Sequence, residues 1–406
     1  MNAAVPTLAL ALVLCTPAVL AQDLAVRGEI VHTMAGPALQ DGVVLVQGGR
    51  ITAVGPAAEV TLPAGIEVLR ATVVTPGLVD AHATVGFAGY LNQDTDRDEL
   101  DRSAPIQPEL RAVDGYNARE RLIEWVRGFG VTTVHTGHGP GALVSGQTLV
   151  AKTRGDTVAD AVIVPRAMLA CTLGEGAQSG EEGKAPGTRS KALAMLRADL
   201  VKAQAYAGKR ADDDEAERPE RDLHLEALAD ALAGELPLLI TVHRHQDILS
   251  ALRLAEEFGL RIVLDGAAEG PEVAEQIAAA GVPVIVHPPM MRGWGELENA
   301  SMTTAARLRD AGLEIALQSG YEDYVPRTRV LLYEAAIAAA HGLGPESALA
   351  AVTIDAARLI GVADRVGSLE VGKDGDLALY DGDPFEYTSH CIGVVVEGEV
   401  VSREAH

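Results

Sequence analysis

Apolar positions along this chain follow two rhythms. From Ala25 to Val74 they form short β-branched runs broken by Gly and Pro: EIVHTM, DGVVLVQGGRITAVG and IEVLRATVV. The same texture returns from Gly367 to Val401 in GSLEVGKDGDLALYDGDPF and IGVVVEGEVV. Between these ends, strand-length apolar runs alternate with helical patterns, which marks βα units around a parallel sheet. The runs are LVDAHA, VTTVHTG, AVIVPRAMLA, PLLITVH, RIVLDG, VPVIVHPP and EIALQSG, with TLVAKTRG as a candidate for one more. Eight such strands predict a (β/α)8 TIM-like barrel. Each terminal strand set is too small to bury a core alone, so the two predict a small β-sandwich formed by both termini. The expected class is therefore α/β, with sandwich halves at 22–74 and 363–406 and the barrel at 75–362.

Helix ends are legible at two places. Thr188 can cap a segment with Leu193, Leu196 and Leu200 on one face before Gly208. Pro271 opens another, with Val273 and Ile277 inward before Gly281. GEGAQSGEEGKAPG and KRADDDEAERPERD interrupt the rhythm as solvated insertions. The acid cluster Asp212, Asp213, Asp214 and Glu215 in the second lacks the spaced ligands and turning Gly of a calcium loop.

The first residues, MNAAVPTLALALVLCTPAVLAQD, carry no charge before Asp23 and place Val19 and Ala21 where a signal peptidase needs small side chains. Residues 1–21 read as a secretory signal, which predicts a periplasmic or secreted protein with no membrane span in the mature chain. Beyond it, Cys171 and Cys391 are the only thiols, read as buried rather than paired. The formal charge of −24 and the few aromatics exclude the basic footprint and stacking platforms of nucleic-acid binding. A small molecule is the expected partner, with a homo-oligomer or an active paralogue as further candidates.

In a barrel of this type the site lies at the C-terminal strand ends. There the sequence places Asp80 and His82, His135 and His138, His243 and His245, Asp265 and Glu269, His287, and finally Ser319, Tyr321, Glu322 and Asp323. His243 and His245 stand two apart, so in a strand both would face the same way. Imidazoles so placed suit a metal site or proton transfer. The Gly-rich stretch His138–Leu149 reads either as an anion-binding loop or as a tight turn in the barrel rim.

GRITAVG, TPGLVDAH and the closing ALAAVTIDAARLIGVADRVGSLEVGKDGDLALYDGDP together resemble the amidohydrolase superfamily, in its imidazolonepropionase-like branch, over nearly the whole mature chain. The resemblance implies a metal-dependent hydrolase of amide or related C–N bonds. It also implies a depleted metal site. His82 and His243 match family ligands, while Thr84, Gly266 and Gly320 stand where the family has histidine, histidine and aspartate. The strand-four ligand position falls on Ala170, with Lys152 and Glu175 as nearby substitutes. On this reading at most one zinc or similar divalent ion is held by His82 and His243 with His245 or Asp265, and Glu322 or Asp323 replaces the missing base. His245, Asp265, His287 and Tyr321 are the candidates for substrate binding or substitute ligation. The alternative is a catalytically inactive, metal-free barrel that binds a ligand or a partner.

Overall fold

The protein is described here by a computed structural model covering residues 23–91, 93–178, 186–211, 218–289, 293–322 and 326–406. The signal segment 1–21, the acid cluster at 212–215 and Asp323 lie outside the described residues.

The N-terminal strands are β1 (Leu24–Val31), β2 (Leu39–Gln47), β3 (Arg50–Pro56) and β4 (Glu67–Pro76). The barrel region contributes β5 (Leu78–Ala83), β6 (Val131–Gly137), β7 (Val144–Lys152), β8 (Val162–Val164), β9 (Leu169–Thr172), β10 (Leu238–Val242), β11 (Ile262–Gly266), β12 (Val284–Val286) and β13 (Ile315–Leu317). The C-terminal strands are β14 (Leu377–Tyr380), β15 (Cys391–Val396) and β16 (Glu399–Ser402).

Both ends of the chain join one seven-stranded sheet in the order β16-β15-β14-β4-β1-β2-β3. β4 is the junction, parallel to β1 and antiparallel to β14. A bridge between Arg50 and Asp374 returns the β3 edge to the segment entering β14, so the sheet curls over Leu24, Val26, Val44, Ile51, Leu377 and Val395.

The second sheet runs β5-β6-β7-β9-β10-β11-β12-β13, with β8 paired to β7 outside this path. A bridge between Ala83 and Gly320 brings its ends together, and eight strands nearly close a barrel. Val79, Val150, Leu239, Val263, Ile285 and Ala316 fill the interior. The stretch TLVAKTRG does supply the eighth strand, as part of β7, but β7 runs antiparallel to both β6 and β9. Residues 138–143, which connect β6 to β7, are too few for the crossover that a parallel neighbour requires. AVIVPRAMLA is likewise two strands, β8 and β9, separated at Pro165 and Arg166.

Thr188 caps its helix through a bond from Lys191 N, 3.2 Å. That helix passes through Gly208, which is not among the glycines with left-handed φ that would mark a C-cap, and ends at Arg210. Pro271 opens a 3-10 turn leading into Ala274–Ala280, and Gly281 closes it with φ 64°. Cys171 and Cys391 are both buried and free, and burial pushes each thiol up to about 12. No helix among the described residues is long and apolar enough to cross a membrane.

Candidate functional site

Strand periodicity delivers most of the site. Leu239 sits in the barrel core and Thr241 and His243 follow it at steps of two. Val263 precedes Asp265 in the same way, Ile285 precedes His287, and Ala316 precedes Gln318 and Gly320. β5 differs. Val79 and Ala81 both belong to the core, so strict alternation would turn His82 outward. The β5–β6 register breaks between Asp80 and Ala83, and His82 joins the mouth.

These side chains line a pocket of about 390 Å³, within the usual range for small ligands. Trp294, Leu297, Tyr321 and Arg329 also line it. A larger groove of about 1140 Å³, bounded by Ile30, Pro37, Leu349, Ile354 and Phe385, lies between the terminal sheet and the helices Pro345–Ala351 and Ile354–Leu359. It holds none of the strand-end residues, so the smaller pocket is the candidate site.

At the centre, His82 Nδ1 lies 3.2 Å from Asp265 Oδ2. Thr241 Oγ1 donates to the same oxygen at 2.5 Å, and Gln318 Nε2 donates to Oδ1. Burial alone would raise the Asp265 carboxyl, but the charge of His82 and these three bonds outweigh it and hold the group far below the ordinary range. Burial likewise acts to lower His82, and the carboxylates of Asp265 and Asp80 reverse the sign, leaving it raised. His243 is lowered by burial, and His287 is lowered by burial to about 3. His82 Nε2, His243 Nδ1 and His287 Nδ1 are all buried without a protein partner.

Two glycines shape this arrangement. Gly266 has φ 87°, and a Cβ there would stand 2.4 Å from His243 Cε1. Gly320 has φ 66°, and a Cβ there would stand 2.4 Å from His287 Cε1.

The remaining sequence candidates scatter. His245 does not share a strand with His243, because β10 ends at Val242 and His245 begins the helix His245–Phe258. Its half-exposed ring pairs with Glu269 at 2.7 Å, outside the pocket lining. Glu322 reaches the pocket, but its carboxylate is paired with Arg329, which also meets Glu334 at 3.2 Å. Tyr321 Oη accepts from Arg97 Nη2 at 2.9 Å and Arg327 Nη1 at 2.6 Å. His135 is held through both nitrogens by Ala81 O and Thr148 Oγ1, each at 2.7 Å, as a structural residue. His138 is buried against Phe87 and Gly146. Two amides of the Gly-rich loop are already taken by neighbouring segments, Gly139 N donating to Glu99 O and Gly141 N to Thr172 Oγ1. Lys152 lies at the far end of antiparallel β7, locked to Asp376 and Asp374, and cannot serve the strand-four position.

Sequence reasoning missed Thr241, Gln318, Arg97 and Trp294. Thr241 and Gln318 were within its reach, each lying two residues from a named position on the same strand face. Arg97 and Trp294 arrive from loops and carry no periodic signal.

The donor set does not fit the metal that the resemblance implies. No group of three His, Cys, Asp or Glu side chains among the described residues is placed to hold an ion. An open zinc site ordinarily takes three protein ligands. Here Asp265 is engaged by three donors, and His82 Nδ1 faces Asp265.

Fold and pocket together define the class, a (β/α)8-type barrel with a pocket at its C-terminal strand ends. The sequence profile of the Amidohydrolase family matches residues 271–402. A solved amidohydrolase from Thermotoga maritima is 30% identical, with 94% of this chain and 100% of that one covered and a TM-score of 0.87. An imidazolonepropionase of Symbiobacterium thermophilum is 27% identical across 93% of this chain and 94% of its own. One from Micrococcus luteus is 28% identical across 85% and 89%. The chain belongs to the amidohydrolase superfamily, in its imidazolonepropionase-like branch. The family and these relatives support a hydrolase acting on C–N bonds, and the family is typically metal-dependent.

Proposed function

We propose that the protein is an exported hydrolase acting on a C–N bond of a small molecule, an amide, cyclic amide or non-standard peptide, with His82 and Asp265 as its acid–base centre. One observation carries this reading: a buried imidazole–carboxylate pair lines the mouth pocket and leaves His82 Nε2 without a protein partner. Asp265 accepts from Nδ1–H, so that neutral His82 is the tautomer whose Nε2 lone pair is free. That nitrogen takes a proton from water attacking the carbonyl carbon and returns it to the departing nitrogen as the C–N bond breaks. Thr241 and Gln318 hold the carboxylate in place for this role. His243 and His287 line the pocket beside it. Export is proposed from the uncharged apolar N-terminus with Val19 and Ala21.

A second reading, a non-catalytic binding protein or the partner of an active paralogue, is favoured by the pairing of Glu322 with Arg329, which engages the nearest substitute for the missing base. The deciding experiment measures zinc content and turnover of amides, cyclic amides and dipeptides with and without a chelator. Chelator-resistant turnover that is lost in His82→Asn supports the proposal. About one bound zinc per chain with chelator-sensitive turnover supports instead a metal-dependent enzyme built on His82 and His243. Ligand binding without turnover supports the second reading.

A further inference from the structure

We infer that two histidine–glycine seats, His243 over Gly266 and His287 over Gly320, fix two imidazoles at the barrel mouth and exclude added metal donors at those two glycines. The pairs obey one rule. Each histidine follows one barrel strand, β10 or β12, and each glycine ends or follows the next, β11 or β13.

The contacts leave no room for a side chain at either glycine. A Cβ on Gly266 would meet His243 Cε1 at 2.4 Å and Nδ1 at 2.8 Å, and one on Gly320 would meet both Cε1 and Nε2 of His287 at 2.4 Å. Non-bonded carbons are comfortable only at about 3.5 Å or more. The obstacle in each case is a buried ring with two torsions, so it cannot bend aside as the end of a long flexible chain would. Both glycines also have left-handed φ, which L side chains resist. A donor introduced at 266 or 320 therefore displaces an imidazole instead of joining it. The resemblance alone would imply the opposite, since histidine at 266 and aspartate at 320 are the family's own ligands at those positions.

The same seats leave His243 Nδ1 and His287 Nδ1 buried without a protein partner, alongside His82 Nε2. In its seat His243 Nδ1 lies against Gly266, so the absent side chain is what leaves room for that nitrogen.

The test is a pair of double-mutant cycles on the mature chain, Gly266→Ala with His243→Ala and Gly320→Ala with His287→Ala, read by thermal unfolding. Each glycine substitution should lower Tm by about 2 °C or more in the parent and by much less once its histidine is alanine. Left-handed strain alone would give equal drops in both backgrounds and would overturn the seats. If a glycine variant is insoluble, recovery of soluble protein by the paired histidine variant supports the inference, and no recovery overturns it. Zinc chloride titration calorimetry supplies the second arm. Gly266→His and Gly320→Asp should bind zinc within about threefold of the parent, whereas a gain of about tenfold in either single variant would overturn metal exclusion. No arm reads turnover, so strong coupling in an inactive protein leaves the seats standing and removes only the hydrolase reading.

Discussion

Lys152 Nζ lies 2.6 Å from Asp376 Oδ2, joining the last residue of β7 to the segment that enters β14. Asp374 Oδ2 stands 3.0 Å from the same ammonium, and neither the lysine nor the carboxylates reach solvent appreciably. Arg365 and Arg50 complete the charge balance around Asp374. This cluster ties the barrel to the terminal sheet. Removing one member of such a buried set strands the others. Lys152→Met should therefore cost about 3 kcal/mol, toward the lower end for a broken buried pair because the arginines remain. Urea unfolding of parent and variant checks this, and equal midpoints with equal slopes would show that the pair is not needed.

The terminal sheet makes a related prediction. β14 pairs with β4, and Leu377, Leu379 and Val395 share a core with Leu24, Val26 and Val74. Deleting residues 367–406 should expose those N-terminal side chains and leave the chain insoluble. A soluble truncation with a cooperative unfolding transition would mean that the N-terminal strands are stable without their partners.

His82 and Asp265 should fail together. If the carboxylate acts only by orienting the imidazole, Asp265→Asn and His82→Asn should each reduce turnover by about 10²–10⁴-fold, and the double variant should be little worse than either. Thr241→Val should give a smaller loss, since Gln318 still holds the other carboxylate oxygen. Steady-state kinetics on whichever amide is turned over checks this. Additive losses in the double variant would separate the two residues.

What was legible in the sequence is what strand periodicity controls. Thr241 and His243 follow Leu239 at steps of two, and Asp265 and His287 follow their own core residues, so the mouth could be assembled from the apolar pattern. His245 broke the rule because a strand ends where its partner's pairing ends. The β10 ladder with β11 stops at Val242 and Gly266, a limit that no local propensity marks. The direction of β7 depended on counting the residues in its connection rather than on its own composition. The glycine seats were out of reach, since Gly266 and Gly320 read as lost ligands until the neighbouring rings are seen to fill their space. Asp265 was noticed, but its grip by Thr241 and Gln318 is a relation across three strands.

The loop that follows His82 supplies a pH dependence. Gly86 N and Gly89 N both donate to the carboxylate of Glu120, which fixes the turn beginning at Thr84 beside the pocket. Burial raises the Glu120 carboxyl, the two amides pull it down, and Glu99 and Asp96 push it up again, to about 7. Its ordinary value is 4.5, so between these two the folded protein holds a proton that the unfolded chain has lost. Stability from this group is then fully present below pH 4.5 and declines as pH rises through about 7. Glu120→Gln cannot ionise and should remove that decline. Relative to the parent, the variant should gain roughly 1–3 kcal/mol on going from pH 5 to pH 8, whatever fixed cost it carries from replacing one carboxylate oxygen with an NH2 group, which cannot accept from Gly86 or Gly89. Urea unfolding of both proteins at the two pH values isolates the term, because the fixed cost cancels in the difference. Parallel pH profiles would show that the amide bonds hold Glu120 ionised throughout, and the turn would then be insensitive to pH in this range.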